Sequence, residues 1–386
     1  MRALIIAALL LQPGPRPPLA PAETLLEPEP LRFIERASVE GPAVPFIAGT
    51  DQAAGEIALA CAPSQCEAVE WAMKKISQAI AAKAAPPPSR TIRAVSSTDE
   101  RPAGGTRAAI MVAASKQPRW EVVRGPWSTA GIGDEVVELF ARHAVGSFNA
   151  RPFADAAQPS WDWLGVPTTT IVMPADASGL DRASFIAAAS AYFLATLPNA
   201  GAESLLSHLT VGAHARLAED GRRAVAMMGN QQRAGADVLI LFGQAIEREQ
   251  RRMRSFERFM PQPVDPMLRS RIAEMESGIT SIWTSIGITS SPFVPAAERL
   301  RGRGGEDRRV PSIVGTVRLR PIEPATAMLK FENVADILYE LGNLIDGKRS
   351  ISDIRDLLSA EFGPISLPLI VDYCERLVKT GAITLR

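Results

Sequence analysis

The chain has 386 residues, and its 42 lysines and arginines balance its 42 aspartates and glutamates. Apolar residues make up 46% and charged residues 22%, values typical of a globular protein with a sizeable core. Binding to nucleic acid through its phosphates needs a surplus of basic residues, so the charge balance argues against a nucleic-acid partner. No internal run of 18 apolar residues is present, which excludes a polytopic membrane protein.

The N-terminus has the pattern of a secretory signal peptide. A positive start, Met1-Arg2, precedes nine apolar residues at 3–11, and residues 20–22 (Ala-Pro-Ala) form a small-x-small cleavage motif. The four prolines between residues 13 and 18 exclude a continuous helix of the folded domain. We therefore predict a signal peptide at residues 1–22, export to a periplasmic or extracellular location, and no transmembrane segment after cleavage.

Cysteine usage agrees with export. Cys61 and Cys66 are separated by four residues that include a proline, a spacing that allows either a small disulfide loop or half of a zinc site. A structural zinc needs four ligands, and no second pair of cysteines or histidines lies nearby, so we predict the disulfide. Cys374 falls on the apolar face of a helix and is predicted to be a buried free thiol.

An α/β domain is predicted over residues 46–200, after a proline-rich arm at residues 23–45. Apolar runs rich in β-branched residues alternate with segments of helical period, as in a sheet covered by helices. The predicted strands are residues 56–60, 91–95, 108–113 and 168–173, and the predicted helices are residues 67–80, 134–143 and 182–197.

A helical extension is predicted over residues 201–298, with its main helices at residues 203–219 and 234–259. The second helix has a run of charged residues, which we interpret as a solvated face with pairs at i,i+4 spacing. These residues are Glu247, Arg248, Glu249, Arg251, Arg252 and Arg254. Residues 299–312 have no apolar period and are predicted to form a linker.

The last predicted domain covers residues 313–386. A helix at residues 332–345 precedes a turn, and Ser350 with Asp353 forms the start of a capping box for the next helix. A third helix at residues 368–379 and a strand containing Ile383 and Leu385 complete the pattern, which is typical of a winged-helix fold.

Few residues are suited to catalysis. The sequence has no Gly-x-Ser-x-Gly motif, no phosphate-binding glycine loop and no dinucleotide fingerprint. His143, His208 and His214 are its only histidines, and the last two lie about 240° apart around a helix. We therefore predict no resident cofactor, with zinc as the alternative.

Residues 158–173 nevertheless resemble a segment of a known enzyme family. Trp161 and the run Gly165-Val166-Pro167 before a strand, followed by the helix at residues 182–197, are similar to the zinc-dependent aminopeptidase family that includes the glutamate carboxypeptidase and transferrin-receptor type domains. The resemblance implies an α/β/α peptidase fold. Some extracytoplasmic members also have a helical extension and a small C-terminal domain.

The metal ligands of that family are mostly replaced here. Residues 156–158 (Ala-Ala-Gln) stand where the family has Ser-Asp-His, and residues 173–175 (Met-Pro-Ala) stand where it has His-Thr. A two-zinc centre needs about five ligands, so the resemblance implies the fold and argues against the activity. The candidate remnant site consists of Asp134, His143, Asp162 and Asp176.

The C-terminal domain resembles the PqqD-type peptide chaperones, which are winged helices that bind a peptide as an added strand. The similar positions are Val334 with Ile337, residues 346–349, residues 352–354 and residues 361–363.

Three functions are compatible with these patterns. The first is an exported, non-catalytic pseudo-peptidase that binds a protein or peptide partner, such as a related active peptidase subunit. The second is an active metallo-aminopeptidase with a rearranged metal site that uses Asp134, His143, Asp162 or Asp176. The third is a peptide-binding module that acts through the C-terminal winged helix.

Overall fold

The protein is described by a computed structural model that covers residues 44–51, 54–96, 105–115, 119–153, 165–197, 199–230, 234–260, 264–290, 306–314, 322–324 and 326–386. The predicted signal peptide, most of the predicted arm and Asp162 lie outside these residues. Within them the fold is mixed α/β, as predicted from the alternation of apolar runs and helical periods.

The first part of the chain forms strands and helices close to the predicted bounds. Its elements are β1 (Phe46–Ile47), β2 (Glu56–Cys61), α1 (Cys66–Ala81), β3 (Thr91–Ser96), β4 (Thr106–Ser115), β5 (Glu121–Val123), α2 (Gly133–Val145), β6 (Asn149–Arg151), β7 (Thr168–Pro174) and α3 (Ala177–Thr196). Three strands were not predicted, namely β1, β5 and β6. Each has only two or three residues, too few for an alternating pattern to be recognised.

These strands form one seven-stranded mixed sheet in the order β1-β3-β2-β4-β7-β5-β6. The central strands β3, β2, β4 and β7 run parallel, whereas β1 pairs antiparallel with β3 and β5 pairs antiparallel with β7. The last strand, β6, pairs parallel with β5 and forms the edge of the sheet.

The two faces of the sheet have different side chains. Large residues such as Ile57, Leu59 and Ile110 lie on the face that packs under the helices, in the main hydrophobic core. The alternate positions of the same strands hold small residues, among them Ala58 and Ala60. Because side chains alternate along a strand, the large residues form one face, which packs against the helices. The small residues form the opposite face, which we call the shallow face.

Three long helices follow the sheet domain: α4 (Asn199–Asn230), α5 (Ala234–Ser255) and α6 (Pro266–Ser290). The first two were predicted, but α5 ends at Ser255 and continues as a 3₁₀ turn, Phe256–Phe259. No helix was predicted at α6, because the second half of this segment is rich in Ile, Thr, Ser and Gly, which have low helix propensity.

The C-terminal unit contains the three helices and the terminal strand that the sequence predicts, namely α7 (Val334–Leu344), α8 (Ile351–Phe362), α9 (Leu367–Lys379) and β9 (Ile383–Leu385). It also contains a strand that is not predicted, β8 (Pro311–Ile313), which begins within the predicted linker. The capping box is confirmed, since Ser350 and Asp353 exchange side-chain to backbone hydrogen bonds at the start of α8. β8, which crosses the predicted domain boundary at residue 313, pairs antiparallel with β9.

The C-terminal unit covers the shallow face of the sheet. Tyr339 from α7 and Phe362 from α8 pack on Phe153, with ring centroids 5.8 and 6.3 Å apart. Tyr339 belongs to the same cluster as the small residues of β2 and β4. Side chains of the C-terminal unit therefore share a hydrophobic cluster with the sheet of the α/β domain.

The predicted disulfide is confirmed. It joins Cys61, the last residue of β2, to Cys66, the first residue of α1, with the two Cα atoms 5.1 Å apart. Cys374 is a buried free thiol, also as predicted, and burial raises its pKa to about 12.

Candidate functional site

Asp134, the first predicted remnant residue, is buried in the first turn of α2 and hydrogen-bonds to three other segments of the chain. Its Oδ1 atom accepts hydrogen bonds from the backbone N–H of Gly125 at 3.0 Å and from the Thr169 hydroxyl at 2.6 Å. Its Oδ2 atom accepts from Nη2 of Arg252 at 2.8 Å. Both carboxylate oxygens are thus bound by groups of the protein itself.

The other described remnant residues lie far from Asp134. His143 is exposed in the last turn of α2, roughly 13 Å along the same helix axis from Asp134. Asp176 is the N-cap of α3, and its Oδ1 atom accepts from the Gly179 N–H at 2.6 Å. Asp176 follows the end of β7, whereas Thr169 beside Asp134 lies at its start, roughly 20 Å away. The structure therefore does not bring these three residues together.

No group of three or more His, Cys, Asp or Glu side chains suited to hold a metal ion occurs among the described residues.

A buried network of charged side chains lies between α2, α4 and α5. Arg216 of α4 donates to both oxygens of Glu249 of α5, with Nη2 2.7 Å from Oε2, and its Nη1 atom donates to Glu135 of α2. His208, about two turns nearer the N-terminus of α4 than Arg216, places Nε2 3.6 Å from Oε2 of Glu135. These charges connect helices that are distant in the sequence.

The prediction of a solvated charged face on α5 is wrong. Arg248, Glu249 and Arg252 are buried, and only residues such as Glu247 and Arg254 point to solvent. The i,i+4 spacing places Arg248 and Arg252 on the same side of the helix, facing α2 and α4. The sequence shows this spacing, but it does not show which side of α5 meets the rest of the protein.

The pKa values of three members of the network are lowered, for different reasons. Burial is the largest single effect and works to raise the pKa of Glu135 and of Glu249, but the surrounding cations, Arg216 foremost, together outweigh it and hold both pKa values below their usual range. Burial, followed by the charge of Arg216, lowers the pKa of Arg252. These two carboxylates are therefore charged at neutral pH, and Arg252 lies beside another cation.

A cavity of about 770 Å³ opens next to this network. Its walls come from the edge strand β6 and from α2, α4, α5 and α8. Eight arginines line it against five carboxylates, so arginine is in excess. The arginines are Arg124, Arg142, Arg151, Arg216, Arg222, Arg223, Arg248 and Arg252.

Arg252 is the most unusual residue of the cavity wall. It is 2% exposed, yet its Nε and Nη1 atoms have no hydrogen-bond partner within the described part of the chain. The nearest carboxylate oxygen to Nη1, Oε1 of Glu135, is 3.8 Å away. A second carboxylate oxygen, Oε2 of Glu249, lies 4.0 Å from Nη1. A buried guanidinium usually has acceptors for its N–H groups, so these two nitrogens have donor capacity that the described side chains do not use.

Arg142 adds a solvent-accessible cation to the cavity. It is exposed near the C-terminal end of α2, and its guanidinium lies 5.9 Å from the ring centroid of Phe148. Over the described ranges it has no carboxylate partner within ion-pair distance. Sequence reasoning missed both arginines, because the chain has many arginines and nothing local marks these two.

Comparison with known proteins gives no match: no family model fits the chain, and no curated protein or solved structure is significantly similar to it.

None of the helices in the described part of the chain is both long enough and apolar enough to cross a bilayer.

Proposed function

We propose that this protein is an exported, non-catalytic binding protein. Its ligand has an oxyanion group, either a carboxylate or a phosphate, that binds in the arginine-lined cavity. The observation that carries the proposal is Arg252, a buried guanidinium in the cavity wall with two nitrogens that have no hydrogen-bond acceptor among the described residues. The cavity volume of about 770 Å³ falls in the range of sites for small ligands. Arginine binds carboxylates and phosphates more strongly than neutral acceptors because both partners are charged.

Two further features support a binding role on a peptidase-like scaffold. The segment from Gly165 to the end of α3 has the order of elements expected from the zinc-dependent aminopeptidases, and the C-terminal unit has the order expected from a PqqD-type winged helix. Asp134, the best-placed acidic candidate for catalysis, is already bound by Gly125, Thr169 and Arg252. We accordingly propose a pseudo-peptidase whose partner is a peptide or protein with an accessible carboxylate.

The proposal is tested by titrating the purified mature protein with two probes, inorganic phosphate and a short acidic peptide with a free C-terminus, in a calorimeter. Each probe supplies oxyanion oxygens, and the comparison distinguishes a phosphate ligand from a carboxylate ligand. We expect saturable binding of at least one probe, weakened by added salt because the attraction is between charges.

Two variants of the cavity locate the binding site, and a third variant serves as their control. Arg142→Gln removes an accessible cation, and Arg252→Lys keeps the charge but removes the guanidinium donors. A charged hydrogen bond contributes about 1.5–3 kcal/mol, so each variant should weaken binding by about tenfold or more. The matched control is Arg271→Gln, which changes an exposed arginine on α6 that pairs with Glu274 and should leave the affinity unchanged.

Absence of saturable binding by either probe would contradict the proposal, as would binding that is indifferent to both cavity variants. Metal analysis and an aminopeptidase assay examine the alternative of an active enzyme. Near-stoichiometric zinc, together with chelator-sensitive hydrolysis that is lost in Asp176→Ala or His143→Ala, would favour a rearranged metallo-aminopeptidase.

A further inference from the structure

Two buried glutamates of the C-terminal unit hold a turn of the α/β domain. Glu340 of α7 and Glu361 of α8 are 0% and 2% exposed. Glu340 accepts from the N–H of Ser128 at 2.7 Å and from its hydroxyl at 2.5 Å. Both oxygens of Glu361 accept from the N–H of Trp127, at 3.2 and 3.3 Å. The 3₁₀ turn Trp127–Thr129 is thus bound to both C-terminal helices.

The two carboxyl groups lie close together, because they accept from successive backbone amides of one short turn. Side-chain hydrogen bonding between them contributes to the pKa of each, and such a bond requires that one of the two carboxyl groups be protonated. Burial raises the pKa of both groups, and the charge of Glu340 adds to the effect of burial on Glu361, whose pKa lies well above its usual range. Like charges this close cannot both ionise easily, so the pair titrates as a unit.

The cations that face the pair are engaged with other acceptors. Arg248 of α5 lies 4.5 Å from the ring centroid of Trp127 and pairs with Asp220 and Glu249. Arg251 of α5 donates to the Trp127 carbonyl and to Glu247.

The remaining neighbours also leave a single negative charge on the pair. Arg223 of α4 donates to the carbonyls of Ala360 and Glu361 at the end of α8, and Asn343 donates to Glu340 at 3.1 Å. In addition to burial, the charge of Arg349 contributes to lowering the pKa of Arg251, and Tyr339 is the neighbour of Glu340 on α7. These donors can stabilise one carboxylate of the pair, and within the described ranges no lysine, arginine or histidine forms an ion pair with Glu340 or Glu361.

We propose that the proton shared by Glu340 and Glu361 is a latch that docks the C-terminal helices on the α/β domain, and that docking weakens as pH rises. In an undocked state both carboxyls meet water and ionise above about pH 4.3. Docking then takes up about one proton. The docking equilibrium therefore falls roughly tenfold per pH unit from that point, until the docked pair itself ionises.

The latch also forms part of the cavity wall. Trp127, Arg248 and Glu361 line the cavity, so undocking opens it. This consequence for ligand binding rests on the proposed function, whereas the latch itself can be measured without any ligand.

Hydrogen exchange of the full chain, followed by mass spectrometry, measures the latch directly. The Trp127 and Ser128 amides donate to the pair, so their protection reports docking. The range from about pH 6.5 to about pH 9 avoids the carboxyl group of Asp336, whose pKa burial raises to about 6. After correction for the intrinsic exchange rate, protection of this turn and of α7 and α8 should fall about tenfold per pH unit from the lower end of this range until the docked pair itself ionises.

Glu361→Gln is the decisive variant. A neutral amide can donate to Glu340 as the shared proton does, so docking should persist and its dependence on pH should disappear. The matched control is Glu375→Gln, which changes an exposed glutamate of α9 paired with Arg309 and should keep the wild-type slope.

A flat pH profile in the wild-type protein would overturn the latch, and so would a wild-type slope in Glu361→Gln. Should Glu361→Gln stay undocked at every pH, infrared spectroscopy of the wild-type protein decides. A protonated-carboxyl C=O band at neutral pH that disappears in Glu340→Gln supports the latch, and its absence from the wild-type spectrum refutes it. If the wild-type protein shows the expected exchange profiles but binds neither anion probe, the proposed function is contradicted and the latch is not.

Discussion

Gly212 offers a sharp test of the buried charge network, because adding a single methyl group there would disturb it. Gly212 lies within α4 opposite α2, where an added Cβ atom would be 2.6 Å from Oε1 of Glu135 and 2.9 Å from Nη1 of Arg216. Both distances are shorter than real Cβ contacts. Gly212→Ala therefore forces these two side chains apart, although they are ion-paired and almost completely buried.

The expected magnitude is the difference between two opposing effects. Alanine in place of glycine stabilises a helix interior by about 0.5–1 kcal/mol. Overpacking costs about 1–3 kcal/mol, and complete loss of a buried ion pair costs about 3–5 kcal/mol. With the ion pair kept, overpacking less the helix gain lowers the free energy of unfolding of Gly212→Ala by about 1 kcal/mol and by about 2.5 kcal/mol at most; loss of the ion pair would make the decrease larger.

Gly243 is the matched control, since it lies within α5 and an added Cβ atom would meet nothing within 4 Å. Gly243→Ala should raise the free energy of unfolding by about 0.5–1 kcal/mol. Urea unfolding of both variants should shift the midpoint in opposite directions without changing the slope. A midpoint of Gly212→Ala at or above that of the wild type would refute the arrangement of Glu135 and Arg216.

Two further predictions concern covalent and local structure. Thiol titration of the denatured, unreduced protein should count one free cysteine, Cys374, and three after reduction; three thiols before reduction would exclude the Cys61–Cys66 bond. Ser350→Ala should cost about 1 kcal/mol in urea unfolding, because the Ser350 side chain caps α8. Ser366→Ala is the control, since Ser366 stands at the same position of α9 without a side-chain capping bond, and an equal loss in both variants would argue against the capping box.

Features that depend on residues close in the chain were predictable from the sequence. The larger strands and most helices follow from apolar periods, which determine the face that each element can bury. The Cys61–Cys66 bond closes a loop of few residues, and the capping box joins Ser350 to Asp353. In each case the interacting groups are brought together by the local path of the backbone.

The candidate site could be determined only from the tertiary structure. Arg252 meets Asp134 across 118 residues, and Glu361 meets Trp127 across 234 residues. A charged residue on a helix has the same sequence pattern whether that side of the helix faces water or another helix. Its burial, its partners and its pKa are set by long-range packing, which is why the α5 arginines and the Glu340–Glu361 pair were not recognised from the sequence.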